Sequence, residues 1–246
     1  MRKLSLLALC VPLLTAGPAR ADEEVKQLLH QVDELYRGSS SEATVQMHIK
    51  TANWERNMEM RVASQGTDQA LVRILAPAKD KGTTTLRVGD NLWNYLPKVD
   101  RTIKVPAAMM SNSWMGSHFT NDDLVQESRL EKDYTSQITQ RPSGKDGSYV
   151  IELVPKPNAP VVWGKVELTL GADKLPKEQR YFDEKGKLVR TLAYGDVKAL
   201  GGRKLPSSLT VTPTDKPGEF TTLTYVDLNL DAHLPPETFS LQALRK

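Results

Sequence analysis

The stretch Ala43–Val62, ATVQMHIKTANWERNMEMRV, alternates apolar and polar side chains on either side of a short break. Val45, Met47 and Ile49 share one side of the first run, and Thr44, Gln46, His48 and Lys50 the other. Successive side chains of an extended chain point to opposite faces, so this is the pattern of a half-buried strand. Met58, Met60 and Val62 repeat it against Asn57, Glu59 and Arg61. Two such runs joined by a polar turn make an antiparallel pair.

Working outward, similar runs follow at Ala70–Leu75, Thr83–Val88, Asn91–Leu96, Arg101–Val105 and Tyr149–Val154, and then at Val161–Leu170, Glu178–Phe182, Lys187–Tyr194, Ser208–Thr212 and Glu219–Leu230. Gly, Pro, Asn or Asp separates nearly every pair. Gly89–Asn91 and Asp183–Lys187 read as short hairpin connections. In TLTYVDLNL (Thr222–Leu230) the apolar phase jumps between Tyr225 and Val226, which predicts a β-bulge. Asp22–Arg37, DEEVKQLLHQVDELYR, instead places Val25, Leu28, Leu29, Val32, Leu35 and Tyr36 near helical spacing, with Gly38 at its end. With no long helical pattern between the strands, parallel βαβ architecture is excluded. The expectation is a mainly β (α+β) fold: one large curved antiparallel sheet, whose concave face a helix of roughly 24 Å covers only in part.

At the N-terminus, Arg2 and Lys3 precede an apolar run, Leu4–Leu14, and Ala19-Arg20-Ala21 supplies small residues at a cleavage site. Residues 1–21 therefore read as a secretory signal peptide and 22–246 as one mature domain. The apolar run is about half of the roughly 20 residues a membrane span needs, and Pro12 interrupts it. Leu9 ahead of Cys10 is too large for a lipoprotein signal. Cys10 is the only cysteine, so the expected mature chain has none and relies on its core, not on disulfides, in an oxidising compartment. The formal charge of +3 is also a property of the leader. Removing Arg2, Lys3 and Arg20 from 33 basic residues leaves balance with the 30 acidic ones, which argues against a nucleic-acid binder.

Catalytic patterns are scarce. His30, His48, His118 and His233 form no HExxH, and neither a G-x-S-x-G nor a P-loop is present. His118, Asp122 and Asp123 fall at helical spacing, but TNDDL (Thr120–Leu124) is better read as a helix start with Thr120 or Asn121 capping. The chain is expected to be no enzyme and to need no cofactor or metal. The basic stretch Lys98–Lys104 reads as strand decoration.

What remains is apolar binding. Met58, Met60, Val62, Leu71 and Ile74 are assigned to one face of their strands, and Trp54 and Arg56 share the phase of Met58. Arg56 marks either the exposed end of a strand or the polar mouth of a cavity. Methionine suits variable apolar ligands because it is unbranched and polarizable; each one singly reads first as core, and the binding reading rests on their clustering. The uncharged segment Pro106–Gly116, PAAMMSNSWMG, adds Met109, Met110, Trp114 and Met115. Ala107, Met110 and Trp114 at i, i+3 and i+7 predict a short helix or lid, begun by Pro106 and ended by Gly116.

PAKDKGTTTLRVGDNLWNYLPKVDRTIKV (Pro77–Val105), followed by MGSHFTNDDL (Met115–Leu124), resembles the LolA-like outer-membrane lipoprotein-sorting proteins of Gram-negative bacteria. The carrying pieces are Lys79–Gly82 before a strand, Gly89-Asp90 with LWNYLP (Leu92–Pro97), a basic strand with Arg101, and Met115-Gly116-Ser117 before an aspartate-rich helix start. The resemblance implies a half-open β-barrel wrapped around helices, with an apolar cavity for lipoprotein acyl chains. It also implies periplasmic passage between an inner-membrane transporter complex and an outer-membrane acceptor. The family's Arg-Pro pair is absent from Met60–Ala70, so no release residue is carried over.

The leading expectation is a monomeric periplasmic carrier of lipid or lipoprotein acyl chains. Its binding residues would be Trp54, Met58, Met60, Val62, Leu71, Ile74, Trp93, Tyr95, Met109, Met110, Trp114, Met115 and Phe119. The alternative is a periplasmic sensor or adaptor that uses such a barrel to regulate a membrane partner without moving cargo.

Overall fold

The computed structural model describes residues 18–246 apart from 127–129 and 160. The expected signal peptide therefore lies outside the described residues, except for its last four positions, which begin α1 (Pro18–Asp33). Thirteen strands follow and form one sheet.

From β1 the sheet grows in two directions. One wing runs outward through β2, β3, β4, β5 and β6: after β1 (Ser40–Lys50) come β2 (Glu55–Gln65), β3 (Gln69–Ala76), β4 (Thr84–Val88), β5 (Asn91–Leu96) and β6 (Arg101–Lys104). The other wing comprises β7 (Tyr134–Gln140), β8 (Ser148–Pro155), β9 (Lys165–Gly171), β10 (Pro176–Phe182), β11 (Leu188–Leu200), β12 (Arg203–Pro213) and β13 (Phe220–Leu230). β13 returns to pair with β1, so the order is β6 to β1, then β13 back to β7, with every pair antiparallel. Since β6 and β7 do not pair with each other, the barrel stays open. The short helices α2 (Asn121–Gln126) and α3 (Leu130–Asp133) lie in the connection between the wings.

The register explains the phase jump in β13. Thr44 pairs with Asp227 and Val45 with Tyr225, so Val226 is the extra residue of a bulge and its side chain is exposed. The inserted residue keeps Leu223 and Leu228 packed on one inner cluster despite the odd spacing. Gly89 takes φ +58°, as the two-residue β4–β5 turn requires.

Three departures from the sequence reading have physical causes. β7 was not anticipated, because YTSQITQ carries few apolar residues; as an edge strand it is paired along one side only. β11 and β12 run further than their apolar runs, through Gly195 and Pro206, to a Gly201-Gly202 turn in which both φ values are positive. The first helix ends at Asp33, and residues 34–37 turn out of it. There Tyr36 donates to the Pro206 carbonyl at 2.8 Å and stacks on Tyr225, with ring centroids 4.7 Å apart.

The apolar stripe of α1 (Val25, Leu28, Leu29) packs against Ile151 and Leu153 of β8 and Val166, Leu168 and Leu170 of β9. A second cluster, built on β1–β3 and β11–β13, continues the concave core. A third gathers Ala63, Leu71, Leu86, Phe239 and Leu244 on the convex face under the C-terminal segment, where Arg73 donates to the Ala243 carbonyl at 2.5 Å.

Candidate functional site

Because α1 occupies the β7–β9 side of the trough, the space beside β1–β3 is left over. A cavity of about 180 Å³ lies there. Alternation along β1 and β2 sends Ala43, Val45, Met47, Met60 and Val62 into it, and Val72 of β3 extends this apolar wall. The other wall is polar: Gln179 and Tyr181 from β10, Arg190 and Tyr194 from β11, and Asp123 from α2. The volume is comparable with a roughly 150 Å³ apolar cavity that admits benzene, and below the ~300–1,000 Å³ of ordinary ligand pockets. It accommodates part of a long chain, and more only if its cover moves.

Most groups of the polar wall meet one another, although Arg190 Nε is buried without a hydrogen-bond partner among the described residues. Arg190, 5% exposed, donates to both oxygens of Asp123 at 2.5 and 2.7 Å. Its guanidinium sits 4.4 Å from the Trp163 ring centroid and 4.3 Å from that of Tyr181. Burial opposes the Arg190 charge, but the field and hydrogen bonds of Asp123 outweigh it and raise its pKa. Tyr181 donates to Gln179 Oε1, and Gln179 Nε2 donates to the Tyr194 hydroxyl at 2.9 Å. Burial, then the nearby charges and Tyr181, raise the Tyr134 hydroxyl pKa well above its ordinary value.

Residues 106–120 form the cover. Instead of the predicted helix there is one 3-10 turn, Ala107–Met109, with Pro106 before it. Ser113 then bridges to Thr120 and Gly116 adopts φ +78°, so the chain doubles back. The helical period fails because the short hydroxyl side chains bind nearby carbonyls: Ser113 Oγ reaches Ser117 O at 2.5 Å and Ser117 Oγ reaches Trp114 O at 2.7 Å. Thr120 caps α2 by accepting the Asp123 amide at 3.1 Å, while Asp123 Oδ2 accepts the Thr120 amide at 2.7 Å. The same carboxylate therefore caps a helix and neutralises Arg190.

The sequence-selected residues separate into four positions. Met60, Val62, Trp114 and Phe119 line the cavity. Trp114 is 4% exposed and donates Nε1–H to Thr85 Oγ1 at 3.1 Å. Met58 and Ile74 are buried in the adjoining core, and Met115 packs against it. Trp54 and Met109 are largely exposed, and Met110 is half-buried at the cover. Trp54 lies against Gly116, where a Cβ would meet its ring at 3.5 Å. Leu71, Trp93 and Tyr95 belong elsewhere, in the convex cluster under the C-terminal segment. Leu71 and Ile74 are three residues apart and so face opposite sides, while in β5 it is Leu92 that points into the cavity.

Arg56 serves the cover: it donates to the Met115 carbonyl at 2.8 Å and lies 3.7 Å from Asp80. His118 turns to β13, with Nδ1 2.8 Å from Thr221 Oγ1 and Nε2 3.0 Å from Glu219 Oε2. Among the described residues, no group of three or more His, Cys, Asp or Glu is placed to hold a metal ion. Sequence reasoning missed Arg190, Gln179, Tyr181 and Tyr194. The one available signal was the alternation of Arg190, Leu192 and Tyr194, a cation in phase with apolar residues.

Solved structures with this architecture share low sequence identity with the chain. A domain of Vibrio parahaemolyticus described as an outer membrane lipoprotein-sorting protein superposes with a TM-score of 0.76 at 23% identity, over 91% of this chain and 97% of that one. A DUF1329 family protein of Desulfovibrio piger gives a TM-score of 0.81 at 20% identity, over 91% and 99%. A LolA superfamily protein of Nitrosomonas europaea gives 0.74 at 24%, over 89% and 98%. No curated protein matches. A family model described as "Uncharacterized protein" matches residues 66–246, and it is to this family that the chain belongs, with the LolA-like open-barrel fold.

Proposed function

We propose that the protein is a non-catalytic, monomeric carrier that holds an acyl chain of a lipid or lipoprotein in the trough and moves it across the periplasm, from an inner-membrane transporter to an outer-membrane acceptor. The observation that carries this reading is the cavity left between α1 and the β1–β3 wall, lined there by methionine, valine and alanine and closed by Trp114 and Phe119. A chain of about sixteen CH₂ groups carries roughly 13 kcal/mol of burial free energy at ~0.8 kcal/mol each, so it does not travel through water unshielded. Within the polar wall the Arg190 charge is balanced by Asp123.

Mass spectrometry of organic extracts of the native protein tests the proposal. The expected result is co-purifying acyl lipid, with transfer of a fluorescent analogue between donor and acceptor vesicles. Bound lipid without transfer, together with stable capture of one membrane protein, would favour the sensor or adaptor reading. No bound or acquired lipid refutes the carrier.

A further inference from the structure

The sheet has two free ends, β6 and β7. β7 carries no charged residue, whereas β6, RTIK (Arg101–Lys104), is exposed at all four positions. At its end the Val105 amide donates to the Leu92 carbonyl at 2.8 Å. Because bonding alternates along an antiparallel ladder, Ile103 and Arg101 also bond towards β5, and the N–H and C=O groups of Thr102 and Lys104 point away from the sheet. These are two donors and two acceptors spaced for one more strand.

The side chains around this edge are basic and apolar together. Lys98 precedes it and Arg101 and Lys104 lie on it, with Lys104 5.7 Å from the Trp93 ring centroid. Among the described residues none of these three cations has an ion-pair partner, and the neighbouring Asp100 is taken by Arg245 at 3.4 Å and by the Tyr95 hydroxyl at 3.1 Å. Ile103 stands between the two strand cations at 46% exposure, and Val99 just ahead of them is 59% exposed. Charge keeps such an edge from pairing with its own copy, since Arg101 and Lys104 would meet like charges. The exposed isoleucine and valine fit a partner that supplies acids and apolar side chains together.

We propose that β6 is a docking edge for an acidic, extended polypeptide segment of a partner protein, which adds to the sheet as a further strand with an apolar side chain against Ile103 and carboxylates toward Lys98, Arg101 and Lys104. Backbone bonds supply the affinity and the cations choose the partner. A lipid surface would answer the charges but leave the outward backbone groups of Thr102 and Lys104 to water. The inference stands independently of the carrier reading, because β6 lies outside the residues that line the cavity.

The probe is a short, end-blocked fluorescent peptide alternating glutamate and valine, with a lysine and valine peptide as its control. By fluorescence anisotropy at low salt the acidic peptide should bind roughly tenfold tighter or more, and the margin should shrink as salt rises. Saturation with it should slow amide exchange at Thr102 and Lys104. Thr102→Pro removes an amide that faces away from β5, a position where an edge strand tolerates proline, and should abolish binding while circular dichroism stays native. Arg101→Glu with Lys104→Glu should reverse the order of the two peptides. Binding of the acidic peptide that survives Thr102→Pro, or unslowed exchange at Thr102 and Lys104 in the unsubstituted protein, overturns strand addition. Charge-dependent binding to phosphatidylglycerol vesicles without binding of the peptide overturns it too and gives the edge to a lipid surface.

Discussion

Arg190 of β11 and Asp123 of α2 form a buried two-point ion pair, 2.5 and 2.7 Å long, that ties the cover's helix to the far wing of the sheet. The pair sets the polar wall of the cavity and the position of the cap at Thr120 together.

Asp123→Ala leaves a buried guanidinium without its counter-charge and removes one arm of the cap. Breaking one partner of a buried pair costs about 3–5 kcal/mol, so urea unfolding should shift by that order. Removing both charges with Arg190→Met and Asp123→Leu should recover much of the loss, and no recovery in the double variant would contradict a pair-based account.

Glu219 is held below the ordinary glutamate pKa, first by the Ala52 amide it accepts at 2.9 Å and then by His118. A carboxyl with a depressed folded value contributes stability above its unfolded pKa of about 4.3 and loses it as pH falls through the folded value. Acidification through that window should raise amide exchange at Ala52, whose N–H donates to Glu219. In Glu219→Gln, exchange at Ala52 should vary little with pH across the same range, after correction for intrinsic rates.

Val62→Phe projects extra volume into the cavity from a half-buried position of β2. Over-packing typically costs about 1–3 kcal/mol, which a domain of this size tolerates. Uptake of a fluorescent acyl chain should fall while circular dichroism stays native. Undiminished uptake would place the chain elsewhere.

Trp114→Ala removes a buried indole and its hydrogen bond to Thr85, whose hydroxyl in turn donates to Asn94 at 2.7 Å. Such truncations cost about 3–5 kcal/mol in well-packed sites. The loss should fall below that range if the cover opens readily, because an opening site has already given up part of the burial. Comparing the unfolding free energy with exchange rates across residues 106–120 decides between a fixed and a moving cover.

Deleting Val226 removes the unpaired residue while Thr44 keeps Asp227 and Val45 keeps Tyr225 as partners, so Leu228 stays on the inner face. The deletion should straighten β13 yet leave the fold intact, whereas inserting one residue between Asp227 and Leu228 slips the register and turns Leu228 outward. Urea unfolding of the two variants should show the insertion to be far more destabilising.

Sequence alone determined the strand menu, because period-two alternation is a local consequence of the extended backbone. It located β1, β2, the short β4–β5 and β10–β11 turns and the bulge at Val226, and it found the long helix α1 that covers part of the trough. It could not detect β7, an edge strand with too little buried surface to leave a pattern. It could not place Leu71, Trp93 and Tyr95 on the convex side, since which face of a strand is inner depends on what covers each face, here the C-terminal segment carrying Phe239 and Leu244.

The greasy segment at 106–116 was legible as a cover but not as a doubled-back loop, because serine-to-backbone bonds outweighed its helical spacing. The tertiary structure alone brought Arg190, Asp123, Gln179 and Tyr194 into one wall. Asp123 and Arg190 are 67 residues apart in the chain, and their meeting depends on the sheet curling until β11 reaches α2. Alternation tells a strand which side chains to bury, whereas curvature decides which buried side chains meet.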